Sequence, residues 1–143
     1  MAKKNKDSEA KALKALPQKL VLIIDNDAGY SGGGIWSYRD EGLIMIGGAI
    51  SNNTVLDEVY GSGGGGFLIE SDFIMENVVI SNNYSRAEGG GIRITGGNSS
   101  FSNLTISGNE SAEGGGIYIE GKFENDPPIK FVNCSISNNV AKG

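Results

Sequence analysis

Glu88-Gly89-Gly90-Gly91-Ile92-Arg93-Ile94 and Glu113-Gly114-Gly115-Gly116-Ile117-Tyr118-Ile119 are two copies of one phrase. A variant, Gly64-Gly65-Gly66-Phe67-Leu68-Ile69, precedes them at the same interval, so Phe67, Ile92 and Ile117 stand 25 residues apart. Gly32-Gly33-Gly34-Ile35 opens the series. Between these blocks runs a second phrase: Ile-Ser-Asn-Asn from Ile50, Ile80 and Ile136, and Ile-Ser-Gly-Asn from Ile106. Aligned on these isoleucines, the flanking residues form columns: Met45, Met75, Phe101 and Phe131; Gly47, Asn77, Asn103 and Asn133; Gly48, Val78, Leu104 and Cys134; Asn53, Asn83, Asn109 and Asn139. Repetition at a fixed period marks a stacked-repeat architecture.

Within each unit the apolar residues alternate, as in Ile92-x-Ile94, Phe67-x-Ile69, Leu104-x-Ile106 and Leu20-x-Leu22-x-Ile24. Period two is the strand signature, and a unit of ~25 residues then predicts three short strands separated by Gly or Asn turns. One such unit cannot bury its apolar side alone. Stacked at the inter-strand spacing of ~4.8 Å, successive units share a core and satisfy each other's backbone. The predicted fold is therefore all-β, a parallel β-solenoid of about four coils. Leu22-x-Ile24-Asp-Asn-Asp27, eleven residues ahead of Ile35, has the spacing of Ile106 to Ile117 and reads as a partial first unit. Asn tolerates left-handed φ at corners, and stacked amides can hydrogen-bond along the axis; Asn77, Asn103 and Asn133, and Asn53, Asn83, Asn109 and Asn139, are predicted to form inward structural ladders. A leucine-rich repeat competes, because Phe101-x-x-Leu104-x-Ile106-x-x-Asn109 matches half of that motif. Its second half would need a helix, where Glu-Gly-Gly-Gly-Ile-x-Ile has poor helix propensity.

The 143 residues fit one domain. The chain has no histidine, which removes Ser-His-Asp, Cys-His and His-zinc chemistry, and its one cysteine allows no intrachain disulfide. Neither a metal site nor a cofactor is expected: Asp25 and Asp27 are too few for a calcium loop, and the triple glycines lack the Lys and helix of a phosphate loop. Residues 1–20 hold six lysines against two acids, whereas the remainder carries six cations and fifteen anions. A pI near 4.7 argues against nucleic acid as a partner. The apolar run Leu20–Ile24 is too short for a secretory core or a membrane span. Residues 1–19 are assigned to a basic tail with a capping helix over 8–16, stopped by Pro17, and 20–143 to the repeat domain; the alternative for the head is a frayed tail. Arrival at Gly143 where the next glycine block is due predicts a longer solenoid or end-on self-association.

The Gly-Gly-Gly-Ile/Phe blocks, the Asn-Leu/Cys-x-Ile-Ser-x-Asn phrase and the alanines after it (Ala87, Ala112, Ala141) resemble right-handed parallel β-helix repeats. They are similar to those of pectin-lyase-like proteins, of adhesin-like surface proteins of bacteria and archaea, and of polymorphic outer-membrane proteins with their Gly-Gly-Ala and Phe-x-x-Asn motifs. The resemblance covers about residues 20–143 and implies a right-handed helix in an extracellular or cell-surface setting.

If Ile35, Phe67, Ile92 and Ile117 point inward, Trp36, Leu68, Arg93 and Tyr118 point outward, with Tyr38, Glu70, Thr95 and Glu120 two places on. Aromatic faces stack on sugar rings, and Arg and Glu bond hydroxyls or uronate carboxylates. Trp36, Tyr38, Arg93 and Tyr118 are thus the candidate ligand-binding residues, for a polysaccharide or cell-surface glycan. In the pectin-lyase-like proteins the outer face of this strand lines the glycan cleft. The expected function is a non-catalytic scaffold or adhesion module. The alternative is a polysaccharide lyase or glycoside hydrolase using Glu70 and Glu120, two rungs and ~9.6 Å apart along the backbone, with Arg93 near Glu70 as the Lys or Arg base that the resemblance to lyases of this fold implies, although no Asp cluster accompanies it. Glu88 and Glu113, one rung apart, are expected to splay into water. Asn-x-Ser/Thr triplets at Asn83, Asn98, Asn103, Asn109 and Asn133 are attributed to asparagine richness, several of them facing inward.

Overall fold

The computed structural model describes residues 21–38, 42–58, 62–120 and 128–143. The expected capping helix over 8–16 lies outside these residues.

A half-coil of β1 (Leu22–Ile24) and β2 (Asp27–Ala28) leads into four coils of four strands each. These are β3 (Ile35–Tyr38), β4 (Leu43–Ile46), β5 (Ala49–Ser51) and β6 (Thr54–Val55); β7 (Phe67–Glu70), β8 (Phe73–Glu76), β9 (Val79–Ser81) and β10 (Tyr84–Ser85); β11 (Ile92–Ile94), β12 (Ser99–Ser102), β13 (Thr105–Ser107) and β14 (Glu110–Ser111); and β15 (Ile117–Ile119), β16 (Lys130–Val132), β17 (Ser135–Ser137) and β18 (Val140–Ala141). Like strands of successive coils pair in parallel, giving the sheets β3-β7-β11-β15, β4-β8-β12-β16, β1-β5-β9-β13-β17 and β2-β6-β10-β14-β18. Among the described residues each coil therefore has four strands where three were expected. The extra one is the residue pair after the interior asparagine, too short for alternation to reveal.

The columns are in register. Met45 lies beside Met75, Met75 beside Phe101 and Phe101 beside Phe131; Ile50, Ile80, Ile106 and Ile136 do the same. Side chains of both columns fill the interior with Phe67, Ile92, Val78 and Leu104, except Ile136 in the last coil, which is exposed. The Phe101 and Phe131 rings stack at 4.7 Å, and Phe67 meets Phe73 edge-on at 4.6 Å. Each fully buried side chain of this kind contributes ~1.5–3 kcal/mol. The half-coil corrects the sequence alignment by one residue: Ile23, not Ile24, pairs with Ile50, while Leu22 and Ile24 face solvent. Ile23 precedes Ile35 by twelve residues, the spacing of Ile80 to Ile92 rather than of Ile106 to Ile117. With a side-chain period of two, a one-residue slip reverses every facing.

Three corners per coil are set by left-handed residues. Asn77, Asn103 and Asn133 (φ 53–56°) turn the chain into the β9, β13 and β17 strands, with Gly47 in the first coil. Asp25, Asn52, Asn82, Gly108 and Asn138 make the next corner. The first glycine of each triplet, Gly32, Gly64, Gly89 or Gly114, makes another. The other two glycines are small because the coil is pinched there. A Cβ on Gly90 would lie 2.5 Å from Glu110 O, and one on Gly66 2.9 Å from Asn83 Nδ2.

Only one of the two predicted asparagine ladders runs inside. Asn83 Oδ1 accepts from Asn53 N (2.9 Å) and Asn53 Nδ2 (3.0 Å). Asn83 Nδ2 donates to Ile50 O (3.0 Å) and Asn109 Oδ1 (2.9 Å). The same contacts link Asn109 to Asn139, and Asn26, which sequence alignment misplaced, begins the series with bonds to Asn53. Asn77, Asn103 and Asn133 also stack, but on the outside. They are exposed, and Asn103 Nδ2 donates to Asn77 Oδ1 at 3.1 Å. The Asn-x-Ser/Thr triplets divide accordingly: Asn83 and Asn109 are buried, whereas Asn98, Asn103 and Asn133 are exposed.

Candidate functional site

The site lies on the outer face of the β3-β7-β11-β15 sheet. Register places Trp36 beside Leu68, Leu68 beside Arg93 and Arg93 beside Tyr118, as the alternation predicts. Tyr38 pairs with Glu70, and Thr95 and Glu120 follow on the next two rungs through Thr95 N–Ile69 O and Glu120 N–Ile94 O bonds. The base of this face is glycine: a Cβ on Gly32 would lie 2.7 Å from Trp36 Cβ, and one on Gly89 2.9 Å from Arg93 Cβ. Large outward side chains thus rest on bare backbone.

Pointing outward is not the same as being solvated. Leu68 is 1% exposed and Arg93 5%, whereas Trp36 is 50% and Tyr38 46% exposed. The arginine stem crosses Gly63, whose missing Cβ would lie 3.1 Å from Arg93 Cδ. Its guanidinium meets Glu120 Oε2 at 3.0 Å and Glu88 Oε2 at 3.4 Å, with its carbon 5.9 Å from the Tyr118 ring centre. Glu88 is itself buried, against the expectation that it splays into water; Glu113, one rung on, does lie in solvent. The difference is Arg93, which offers Glu88 an opposite charge that offsets its desolvation.

The other carboxylate, Glu70, accepts a hydrogen bond from Trp36 Nε1 at 2.7 Å. This fixes the indole 5.8 Å from the Tyr38 ring at an angle of 51°. Between the aromatic pair and the arginine lies a groove of about 520 Å³, lined by Tyr30, Ser31, Trp36, Tyr38, Glu70, Arg93, Thr95 and Glu120. Of the candidate binding residues, Trp36, Tyr38 and Arg93 come together there; Tyr118 stays outside the lining, its ring beside the arginine. The two carboxylates of the enzyme alternative, Glu70 and Glu120, line it as well. Sequence reading missed Tyr30 and Ser31. Ser31 shares a backbone column with Gly63, Glu88 and Glu113: a small residue where a later coil has glutamate leaves the groove open at this end. Its position directly before Gly32, as Glu88 stands before Gly89, was the available signal.

Among the described residues no group of three or more His, Cys, Asp or Glu side chains is placed to hold a metal ion, and no helix is long and apolar enough to cross a membrane. Cys134 stands in the Val78 and Leu104 column and is partly buried against the core. A family model described as the right handed beta helix region matches residues 6–143. The chain belongs to the right-handed β-helix family. Comparison with curated proteins and with solved structures gave no match. Membership in the family agrees with the all-parallel pairing, and it describes a scaffold; the groove is a feature of this β-helix's own residues.

Proposed function

We propose that this β-helix is a non-catalytic binding module, working at a cell surface or outside the cell, that holds a glycan in the groove between Trp36, Tyr38 and Arg93. The observation that carries it is the exposed Trp36–Tyr38 pair, pinned by Glu70 at the mouth of a groove whose other wall is polar. Its volume of about 520 Å³ lies within the range of small-ligand sites. Tilted aromatic planes offer apolar contact to pyranose rings, while carboxylates and hydroxyls accept from sugar hydroxyls. Rigid strands hold these groups, so little ordering cost accompanies binding.

The test is a glycan-array screen followed by calorimetry and a turnover assay on the glycans that bind. Binding without turnover is the expected result, weakened about tenfold in Trp36→Ala, the loss of ~1.4 kcal/mol of stacking. Turnover that disappears in Glu70→Gln or Glu120→Gln would instead make the protein a polysaccharide lyase or hydrolase.

A further inference from the structure

Resting on the glycan assignment above, we infer that the groove selects an amine-bearing glycan, a polymer of unacetylated amino sugars, over a polyuronate. Among the described residues Arg93 is the only cation in the groove lining, and it is already engaged. Its guanidinium sits 3.0 Å from Glu120 and 3.4 Å from Glu88, and 5% exposure leaves little of it to solvent. Two carboxylates, those of Glu88 and Glu120, therefore face one guanidinium, and a third, that of Glu70, lines the same groove. Glu70 and Glu120 stand two rungs apart in one column, and the Glu120 side chain is 42% exposed. A uronate entering here meets surplus negative charge, and it meets an arginine whose charge two carboxylates already balance. The far field has the same sign, because residues 21–143 carry fifteen acids against six bases, and an acidic surface repels polyanions and concentrates cations.

A protonated amino sugar fits each element. Its ring covers the Trp36 and Tyr38 faces, which also attract the ammonium through their ring quadrupoles. Ammonium groups on different sugar residues of the polymer donate to the carboxylates of Glu70 and Glu120, which stand too far apart for one to reach both. A further feature asks for a ligand hydroxyl: Ser31 lines the groove at 7% exposure, and its Oγ has no hydrogen-bond partner among the described residues. A buried hydroxyl in that state costs free energy until something bonds to it.

The experiment is calorimetric titration of the unaltered protein with tetraglucosamine, its fully N-acetylated form, tetragalacturonate and tetralysine, at a pH where amines are protonated. Tetraglucosamine is expected to bind roughly tenfold more tightly than the acetylated form, from one partly screened charge pair and one cation–π contact. Tetragalacturonate is expected not to bind. The preference should shrink as salt rises from about 0.01 M to about 1 M. Glu70→Gln should bring the two glucosamine tetramers to similar affinity while the acetylated one still binds. Tighter binding of tetragalacturonate than of tetraglucosamine would overturn the charge selection and leave the glycan assignment standing. Equal binding of tetralysine would make the ligand a cationic peptide and overturn the inference. Silence toward all four would overturn the inference and the glycan assignment together. Because the four ligands are compared on the unaltered protein, a variant that fails to fold leaves the test intact.

Discussion

Asn83 and Asn103 lie one coil apart, each in a column of like residues, and they serve opposite purposes. Asn83 is 1% exposed, and its side-chain amide does the work: one oxygen accepts twice from Asn53, and one nitrogen bridges Ile50 O and Asn109 Oδ1. Its backbone lies outside the left-handed region. Asn103 is exposed at φ 54°, and its backbone does the work; the side chain makes one bond, to Asn77. The interior column knits coil to coil where no water can substitute, while the exterior column bends the chain where water can. Identical residue types at an identical period thus differ in what a substitution removes.

The largest effect should follow from breaking the interior column. Asn83→Ala leaves Asn53 N and Nδ2 without their shared acceptor and Ile50 O and Asn109 Oδ1 without that amide donor, all in the core. With ~1–3 kcal/mol per unsatisfied buried group and partial relaxation, a destabilisation of roughly 3–5 kcal/mol is expected in urea unfolding. A cost below about 1 kcal/mol would erase the distinction between the columns.

Next comes the glycine opposed to the ladder. A Cβ on Gly91 would lie 2.5 Å from Gly116 O and 3.1 Å from Asn109 Nδ2, with no left-handed φ to complicate the reading. Gly91→Ala is therefore a test of space alone, with an expected loss of roughly 2–3 kcal/mol from forced displacement. Gly96→Ala is its control: the nearest atom is Glu70 O at 3.9 Å. It should be neutral or stabilise by ~0.4–1 kcal/mol through the unfolded chain. Thermal unfolding of the two side by side reads the difference. Equal behaviour would show that the third glycine is not there to clear the ladder.

In the exterior column Asn103→Ala should cost only ~1 kcal/mol, the penalty of an alanine held left-handed. Asn103→Gly should recover it, because glycine adopts that φ freely. If glycine instead matches alanine, the single bond to Asn77 carries the column and the backbone account fails.

How these columns divide shows what the amino-acid order reveals. Fixed offsets from Ile50, Ile80, Ile106 and Ile136 were enough to establish parallel stacking, and alternation after the triple glycines was enough to aim Trp36, Arg93 and Tyr118 outward. Facing at the asparagines was not legible: a corner residue and a ladder residue recur with the same period, and the choice depends on which side of the bend the side chain falls. The half-coil slipped by one residue because eleven and twelve were both repeat spacings, and only the pairing of Ile23 with Ile50 decides between them. At the groove, the column of each residue was readable but its burial was not. Leu68 and Arg93 face outward and are nevertheless buried, and the Glu88–Arg93 pair joins positions that periodicity treats as independent. Ser31 matters for being small where Glu88 is large, a contrast legible in their shared place before the glycine triplet but passed over by an alternation that starts only after the glycines.

The smallest expected effect sharpens the same comparison on a single pair of rungs. Asn139 joins Asn109 inside, and Lys142 joins the Glu110 carboxylate outside. The hydrogen bond to Glu110, helped by its charge, raises the Lys142 ammonium above its ordinary value of 10.5. A raised folded-state value means that the contribution is complete below the unfolded value and disappears as pH climbs through the folded one. Stability should therefore be insensitive to this pair near neutrality and decline with it only in strong alkali. The pair is solvent-exposed, so screening leaves it little weight. Lys142→Met should shift the unfolding midpoint barely or not at all at neutral pH, and any shift should vanish at high salt. Asn139→Ala, which removes the interior link between those rungs, should shift it visibly under both conditions. A salt-resistant loss in Lys142→Met as large as that in Asn139→Ala would mean that the outer surface, not the amide ladder, fastens one coil to the next.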